Sequence, residues 1–157
     1  MFTLETTATA AYVVAALVTL ARYRAPTLRL TGSFGAIEGR FFLVAAGNGT
    51  SYGGGMRITP GARLDDGLLD LCIVDDVSRL TVLRVLPGVF SGSHIDHPAV
   101  RVVRAASVEI EAGDALDLYA DGEHAARLPA RLDVLPGALR VLAPPRPSSG
   151  SAIHGGT

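Results

Sequence analysis

Residues 47–71 read GNGTSYGGGMRITPGARLDDGLLDL, and the way this stretch has to turn decides how the rest of the chain is placed. It holds three consecutive glycines (Gly53, Gly54, Gly55), a proline stop at Pro60 and an acidic turn, Asp65-Asp66-Gly67, that runs directly into the apolar residues 68–74. Glycine takes φ > 0 without a Cβ penalty, and an Asp-Gly pair ahead of alternating apolar residues is a turn with a mechanism. The triplet reads first as a tight bend between strands and second as a phosphate cradle. No Lys-Ser/Thr pair follows it, so the P-loop pattern fails. No helix-period segment begins after it, so the dinucleotide fingerprint fails as well.

Outward from this region the grain is that of strands. Residues 27–30, 41–46, 68–74, 100–103, 107–110, 115–120, 130–134 and 138–142 are short apolar or alternating runs bounded by Gly, Pro, Asp or Ser, the pattern of an all-β sandwich or barrel. Val108 and Ile110 alternate with Glu109 and Glu111, Leu116 and Leu118 with Asp117 and Tyr119, and Leu132 and Val134 with Arg131 and Asp133, which predicts one dry and one wet face. Two segments depart from this period. Residues 8–21, ATAAYVVAALVTLA, are helical by composition and apolar all round. They fall short of the roughly 20 apolar residues of a bilayer span, so they predict a buried helix with neighbours on more than one side. Residues 78–89 predict one short helix with Ser78 as N-cap, Leu80, Leu83, Val85 and Leu86 on its apolar face and Pro87 near its end. From Pro144 onward, PPRPSSGSAIHGGT predicts a disordered tail.

With 157 residues, 48% hydrophobic and 18% charged, at a formal net charge of −1, the chain forms one substantial core and lacks the basic surface of a nucleic-acid binder. Cys72 stands alone inside an apolar run, so it reads as a small buried hydrophobe; no internal disulfide forms, which fits a reducing compartment, and the start MFTLETT lacks a secretory n-region. His94 and His97 in GSHIDHP could suggest a metal, but no third ligand lies near in sequence and a satisfied loop histidine is the simpler reading. Ser93 lies in no G-x-S-x-G elbow. The carboxylates say more. Asp66 in its turn is the kind of group, beside main-chain carbonyls, that Mg²⁺ or Ca²⁺ takes. Asp121-Gly122-Glu123 puts two carboxylates at a strand end, where one could draw a proton from a hydroxyl. The same Asp-Gly turns also join strands in many inert sandwiches.

The order of these pieces resembles a known family. Asn48-Gly49, Gly53-Gly54-Gly55, Pro60, Ala62, Asp66-Gly67-x-Leu69-Asp70, Gly92-x-His94 and Asp121-Gly122-Glu123, followed by a strand ending at Ala143-Pro144, resemble the C-terminal half of the soluble diacylglycerol kinase-like lipid kinases, which include sphingosine and ceramide kinases. The resemblance runs from about Ala8 to Pro144. It implies a mainly β fold, a β-sandwich of the lipid kinase/NAD kinase C-terminal type, with an N-terminal apolar helix and one short helix in the middle. Residues 1–26 would form a junction helix region, 27–144 the sandwich and 145–157 the tail. An N-terminal domain that binds ATP through a G-G-D-G-T loop belongs to the family pattern, and G-G-D-G-T does not occur in this sequence, so the chain is expected to be the second domain and inactive alone. The resemblance further implies Mg²⁺ held by the Asp66 side chain and main-chain oxygens of Arg63 and Leu68. It makes Glu123, or failing it Asp121, the catalytic base, and sets Asn48, Gly53, Gly54 and Gly55 near nucleotide or substrate. Where family members often have Asn-Asp-Gly, this chain has Asp65-Asp66-Gly67, an added charge that would attract a cation and could change its geometry. The implied partners are a lipid acceptor such as diacylglycerol or a sphingoid base, a transient membrane surface and a second copy in a homodimer, in a cytoplasmic protein peripheral to the membrane. A stand-alone sandwich module without catalysis and an NAD kinase-type domain are the competing readings.

Overall fold

The computed structural model describes residues 18–140. Eight strands run β1 Thr27–Gly32, β2 Gly35–Gly47, β3 Leu69–Asp75, β4 Val100–Ala105, β5 Ser107–Ala112, β6 Asp117–Ala120, β7 Glu123–Arg127 and β8 Ala130–Asp133. Six of them pair antiparallel in the order β4-β3-β2-β1-β5-β8, and β6 and β7 form a separate hairpin. The key to the layering is β2, whose 13 residues exceed what one flat layer needs. Its first half pairs with β1, with Gly35 opposite Gly32 and Arg40 opposite Thr27, and its second half pairs with β3, with a register shift between Phe41 and Leu43. A bulge kinks a strand and lets it pass from one sheet layer to the other. The two halves of the sheet therefore face each other as a sandwich. Leu28, Leu30, Val108 and Ile110 from one layer meet Leu71 and Ile73 from the other, with Phe41 at the bend.

Alternation along β3 gives the second layer two dry faces. Leu71 and Ile73 point into the sandwich, whereas Cys72, with Val100 from β4, belongs to a second apolar cluster with Ile58 and Val89 on the far side. That far side is covered by residues 52–60 and by two short helices, α1 Arg79–Val85 and α2 Gly88–Ser91, followed by a 3₁₀ turn Ser93–Asp96. The Arg57 N–H donates to the Val89 carbonyl at 2.9 Å and ties the loop to the helices. At the other end Tyr23, just past the helical residues 18–22, donates its hydroxyl to the Phe42 carbonyl at 3.0 Å and sets its ring edge-on to Phe42.

Four expectations need correction or completion. The single helix over 78–89 is two helices: Leu86 N–H still bonds Val82, but Pro87 has no N–H to continue the ladder, and Val89 and Phe90 instead bond three residues back. Ser78 does cap α1, its hydroxyl accepting the Thr81 N–H at 3.1 Å. Leu80, Leu83 and Leu86, assigned to the apolar face, are exposed; the helix is apolar on both sides, so composition could not say which side faces the sheet. Residues 138–140 are not a strand, and 141–142 lie outside the described residues, as do most of the 8–21 helix and the tail. Finally, β7 was not foreseen, because Glu123–Arg127 (EHAAR) carries no β-branched or large apolar residue.

Candidate functional site

The acidic turn is an electrostatic corner. Asp70, on β3, is 3% exposed and lies directly across the ladder from Arg104 on β4. The Arg104 Nε–H donates to Asp70 Oδ2 at 3.3 Å, and its Nη2–H donates to Asp66 Oδ2. Asp66 Oδ1 meanwhile accepts the Leu68 N–H at 3.0 Å, which closes the turn. Asp70 above all, with Asp66, holds the Arg104 guanidinium above its ordinary pKa. Arg63 lies 3.6 Å from Asp65 through its Nε. The structure thus brings Asp66, Asp70 and Arg104 together and places Arg63 and Leu68 at the two ends of the turn. The turn abuts the end of the sandwich, where a Cβ on Gly67 would meet Pro136, just past β8.

Asp121 and Glu123 stand elsewhere, at the tip of the β6–β7 hairpin. Asp121 (φ 50°) and Gly122 (φ 89°) are both left-handed, the pair a two-residue hairpin of this hand requires, and Glu123 opens β7 opposite Ala120. Both carboxylates are exposed, and among the described residues neither has a hydrogen-bond or ion-pair partner. The stem below is braced by Asp117, which accepts from His124 Nε2 and from Arg127 Nε at 3.2 Å each. The hairpin therefore presents two uncommitted carboxylates on a stiffened stem, which suits a proton acceptor better than a structural ion pair would.

The glycine triplet leads to a different feature. Tyr52 and Met56 bond each other through both main-chain pairs at 3.1 Å, and Gly53, Gly54 and Gly55, at φ 56°, 75° and 88°, make the exposed loop between them. Tyr52 and Met56 in turn line a chamber of about 260 Å³ between the far face of the second layer and the short helices. Its walls are Cys72, Val74 and Val100 from the sheet and Val82, Val85 and Val89 from the helices. His94, 4% exposed, is one of its few polar lining residues, with Tyr52, Thr81 and His97. The His94 Nε2 lies 3.1 Å from the Ile58 carbonyl, which can only accept, so the Nε2–H donates there. The His94 Nδ1 is buried without a partner among the described residues. Cys72 Sγ is 3.8 Å from the same Nε2, and burial pushes its thiol up to about 11, so it is a neutral wall. His97 accepts the Ala99 N–H at Nδ1, 3.2 Å. Both rings bond main chain, but only in part as a satisfied loop histidine would: His97 is paired through Nδ1, whereas His94 bonds through Nε2 and keeps a buried Nδ1 without a partner among the described residues. Asn48, exposed at the end of β2, neighbours Gly47, where a Cβ would come within 2.4 Å of Thr59 Oγ1.

Sequence reasoning missed the chamber. Its signals were present: alternation that made Cys72 and Val74 a second dry face, and a helix apolar on both sides. Among the described residues no group of three or more His, Cys, Asp or Glu side chains is arranged to hold a metal, and no helix is long and apolar enough to cross a membrane.

The bent-strand sandwich defines the class of domain, and comparison with known proteins names the family. Residues 3–143 match the YegS C-terminal NAD kinase beta sandwich-like domain, and the chain belongs to that family. Over 134 residues it is 39% identical to a diacylglycerol kinase of Mycobacterium tuberculosis, covering 85% of this chain and 43% of that protein. Over 136 residues it is 36% identical to a "Probable lipid kinase YegS-like" protein of Pseudomonas aeruginosa, covering 86% of this chain and 44% of the relative. The crystal structure of a diacylglycerol kinase from Bacillus anthracis str. Sterne superposes with a TM-score of 0.58 at 22% identity, over 76% of this chain and 43% of that one, a likeness of fold. The chain thus spans less than half the length of the curated relatives it matches, and its family is one of kinase-type enzymes.

Proposed function

We propose that this domain is the acceptor side of an ATP-dependent lipid kinase that phosphorylates a long-chain alcohol, diacylglycerol or a sphingoid base, with the nucleotide bound chiefly by a separate N-terminal domain. The observation that carries the reading is the chamber: about 260 Å³ walled almost wholly by apolar side chains, in a domain whose relatives are named lipid kinases. A water-soluble acceptor such as a nucleotide offers nothing to such walls, whereas an alkyl chain gains free energy on entering them. Phosphoryl transfer asks the protein mainly for positioning, charge neutralisation and a base on the acceptor hydroxyl. Glu123 is the first candidate for that base and Asp121 the second, since both are exposed and their carboxylates have no partner among the described residues. In this reading Asn48 and the loop Gly53 to Gly55 would lie near nucleotide or substrate.

Mg²⁺ keeps several waters and needs only one or two carboxylates, so the residues to hold it would be Asp66, with main-chain oxygens of Arg63 and Leu68. When bound, Mg²⁺ would neutralise phosphate charge. Asp66 would then divide its carboxylate between that ion and Arg104, whose guanidinium already balances it.

The test is ATP-dependent phosphorylation of diacylglycerol by the protein in which this domain is joined to an ATP-binding domain. Glu123→Gln should cost on the order of 10²–10⁴ in rate, with Asp121→Asn costing less. The 157-residue chain alone should give no product above a no-protein blank. An unimpaired Glu123→Gln removes Glu123 from the role of base, and turnover by the chain alone removes the division of labour.

A further inference from the structure

The helices that wall the chamber are apolar on their outer side as well. α1 and α2 turn Val82, Val85 and Val89 toward the chamber, while Leu80, 67% exposed, Leu83 one turn further along, and Phe90, 57% exposed, face solvent. α1 buries none of its seven residues. A surface helix ordinarily sets its apolar stripe against a core and its polar stripe toward water; here large apolar side chains lie on both sides of one thin layer.

The size of the chamber says what reaches that outer face. At about 260 Å³ it is less than twice the roughly 150 Å³ of a dry cavity that holds one benzene ring. It therefore takes a short alkyl segment, and the remainder of a long-chain acceptor has to lie outside. Leu86 both lines the chamber and is half exposed, so the apolar surface continues from inside to outside. The local charge has a sign as well. Residues 77–97 carry Arg79 and Arg84 against the single acid Asp96, in a chain of net charge −1. The two acids just before them are paired, Asp75 with Arg101 at 2.7 Å and Asp76 with Arg40 at 3.0 Å and with Arg79 at 4.0 Å, and Arg79 also donates to the Tyr23 carbonyl. Exposed Leu and Phe beside Arg84, which is exposed and has no acidic partner among the described residues, is the composition of an element that lies in the interface of an anionic bilayer.

We infer that the outer face of α1–α2, centred on Leu80, Leu83 and Phe90, is a bilayer-docking surface through which the chamber receives its acceptor while the rest of that lipid stays in the membrane. The role of the chamber in this inference rests on the lipid-acceptor reading above; the docking surface is tested separately from it. The 157-residue chain is sedimented with vesicles of phosphatidylcholine containing phosphatidylglycerol and with vesicles of phosphatidylcholine alone, beside a Leu80→Ser/Leu83→Ser/Phe90→Ser variant checked for an unchanged melting temperature. Binding of dioctanoylglycerol below its micellar concentration is measured in parallel. The wild type should bind the anionic vesicles, less tightly in high salt, and the variant should bind at least about tenfold more weakly, with dioctanoylglycerol binding unchanged in both. Absence of vesicle binding by the wild type, equal binding by the variant, or a lipid-free dimer that the variant dissociates would each overturn the docking surface. If dioctanoylglycerol binding survives any of these results, the acceptor reading stands without it. Vesicle binding without any dioctanoylglycerol binding would leave the docking surface and remove the acceptor reading.

Discussion

Leu71 and Cys72 are neighbours in β3 that the fold assigns to opposite dry faces, and substituting them separately should separate stability from ligand binding. Leu71 is fully buried between the layers with Ile73, Phe41 and Val108. Leu71→Ala should cost about 2–5 kcal/mol, the transfer term plus the cavity that two hydrogen-bonded layers cannot close. For a domain of this size a loss of 1 kcal/mol lowers the midpoint by about 4 °C, so the melting temperature should fall by about 8–20 °C. Cys72, also fully buried, faces the chamber. Cys72→Leu grows into about 260 Å³ of open space, so it should escape the roughly 1–3 kcal/mol of an overpacked core and leave the melting temperature within a few degrees. It should weaken binding of a short-chain diacylglycerol at least tenfold, on the order of one lost buried side-chain contact. Thermal unfolding followed by circular dichroism, and calorimetric titration well below the lowered midpoint, give the two readouts. If Leu71→Ala weakens binding as much as Cys72→Leu does, or if Cys72→Leu unfolds the chain, the two-faced account of β3 is refuted.

Other outcomes follow from the same geometry. The Cys72 thiol is raised from 9.0 to about 11 by burial, so at pH 8 it should react with maleimide at least about a hundredfold more slowly in the folded chain than in urea, from thiolate fraction alone. The linked stability is full below about pH 9 and is lost as pH rises toward about 11, because there the unfolded thiol ionises while the folded one stays protonated; an alkaline midpoint unchanged in Cys72→Ala would contradict this. Gly92 has φ 86° and would set a Cβ 2.9 Å from Pro60, so Gly92→Ala should lose about 1–2 kcal/mol from the backbone alone and more from the contact, seen as a lowered melting temperature. Ser78→Ala removes the cap of α1 and should cost about 0.5–2 kcal/mol, read by urea denaturation.

Much of the framework was legible because it rests on period. The alternation at Val108 and Ile110 against Glu109 and Glu111, and the apolar run through Leu71 to Ile73, each map onto a strand with the expected dry face. The bend in β2 was not legible, since Phe41 and Phe42 read as one apolar run and a bulge leaves no pattern of its own in the sequence. The hairpin strand β7 escaped because its residues are small and polar and it is held by the Asp121-Gly122 turn and by Asp117. At the sites, the acidic turn was visible as a turn, but its partner Arg104 is 38 residues from Asp66 and comes beside it only through the β3–β4 ladder. The chamber is likewise a product of topology: Met56, Cys72, Val85 and Val100 share no sequence motif.

The central claim is that the chamber holds the alkyl part of an alcohol acceptor. The most direct measurement is a methyl-resolved NMR titration of the 157-residue chain with dioctanoylglycerol below its micellar concentration. Saturable shifts concentrated at Val82, Val85, Val89 and Val100, with Leu71 and Ile73 less affected, are the predicted result. Shifts absent there, or spread evenly over the sandwich interior and the surface, would contradict it.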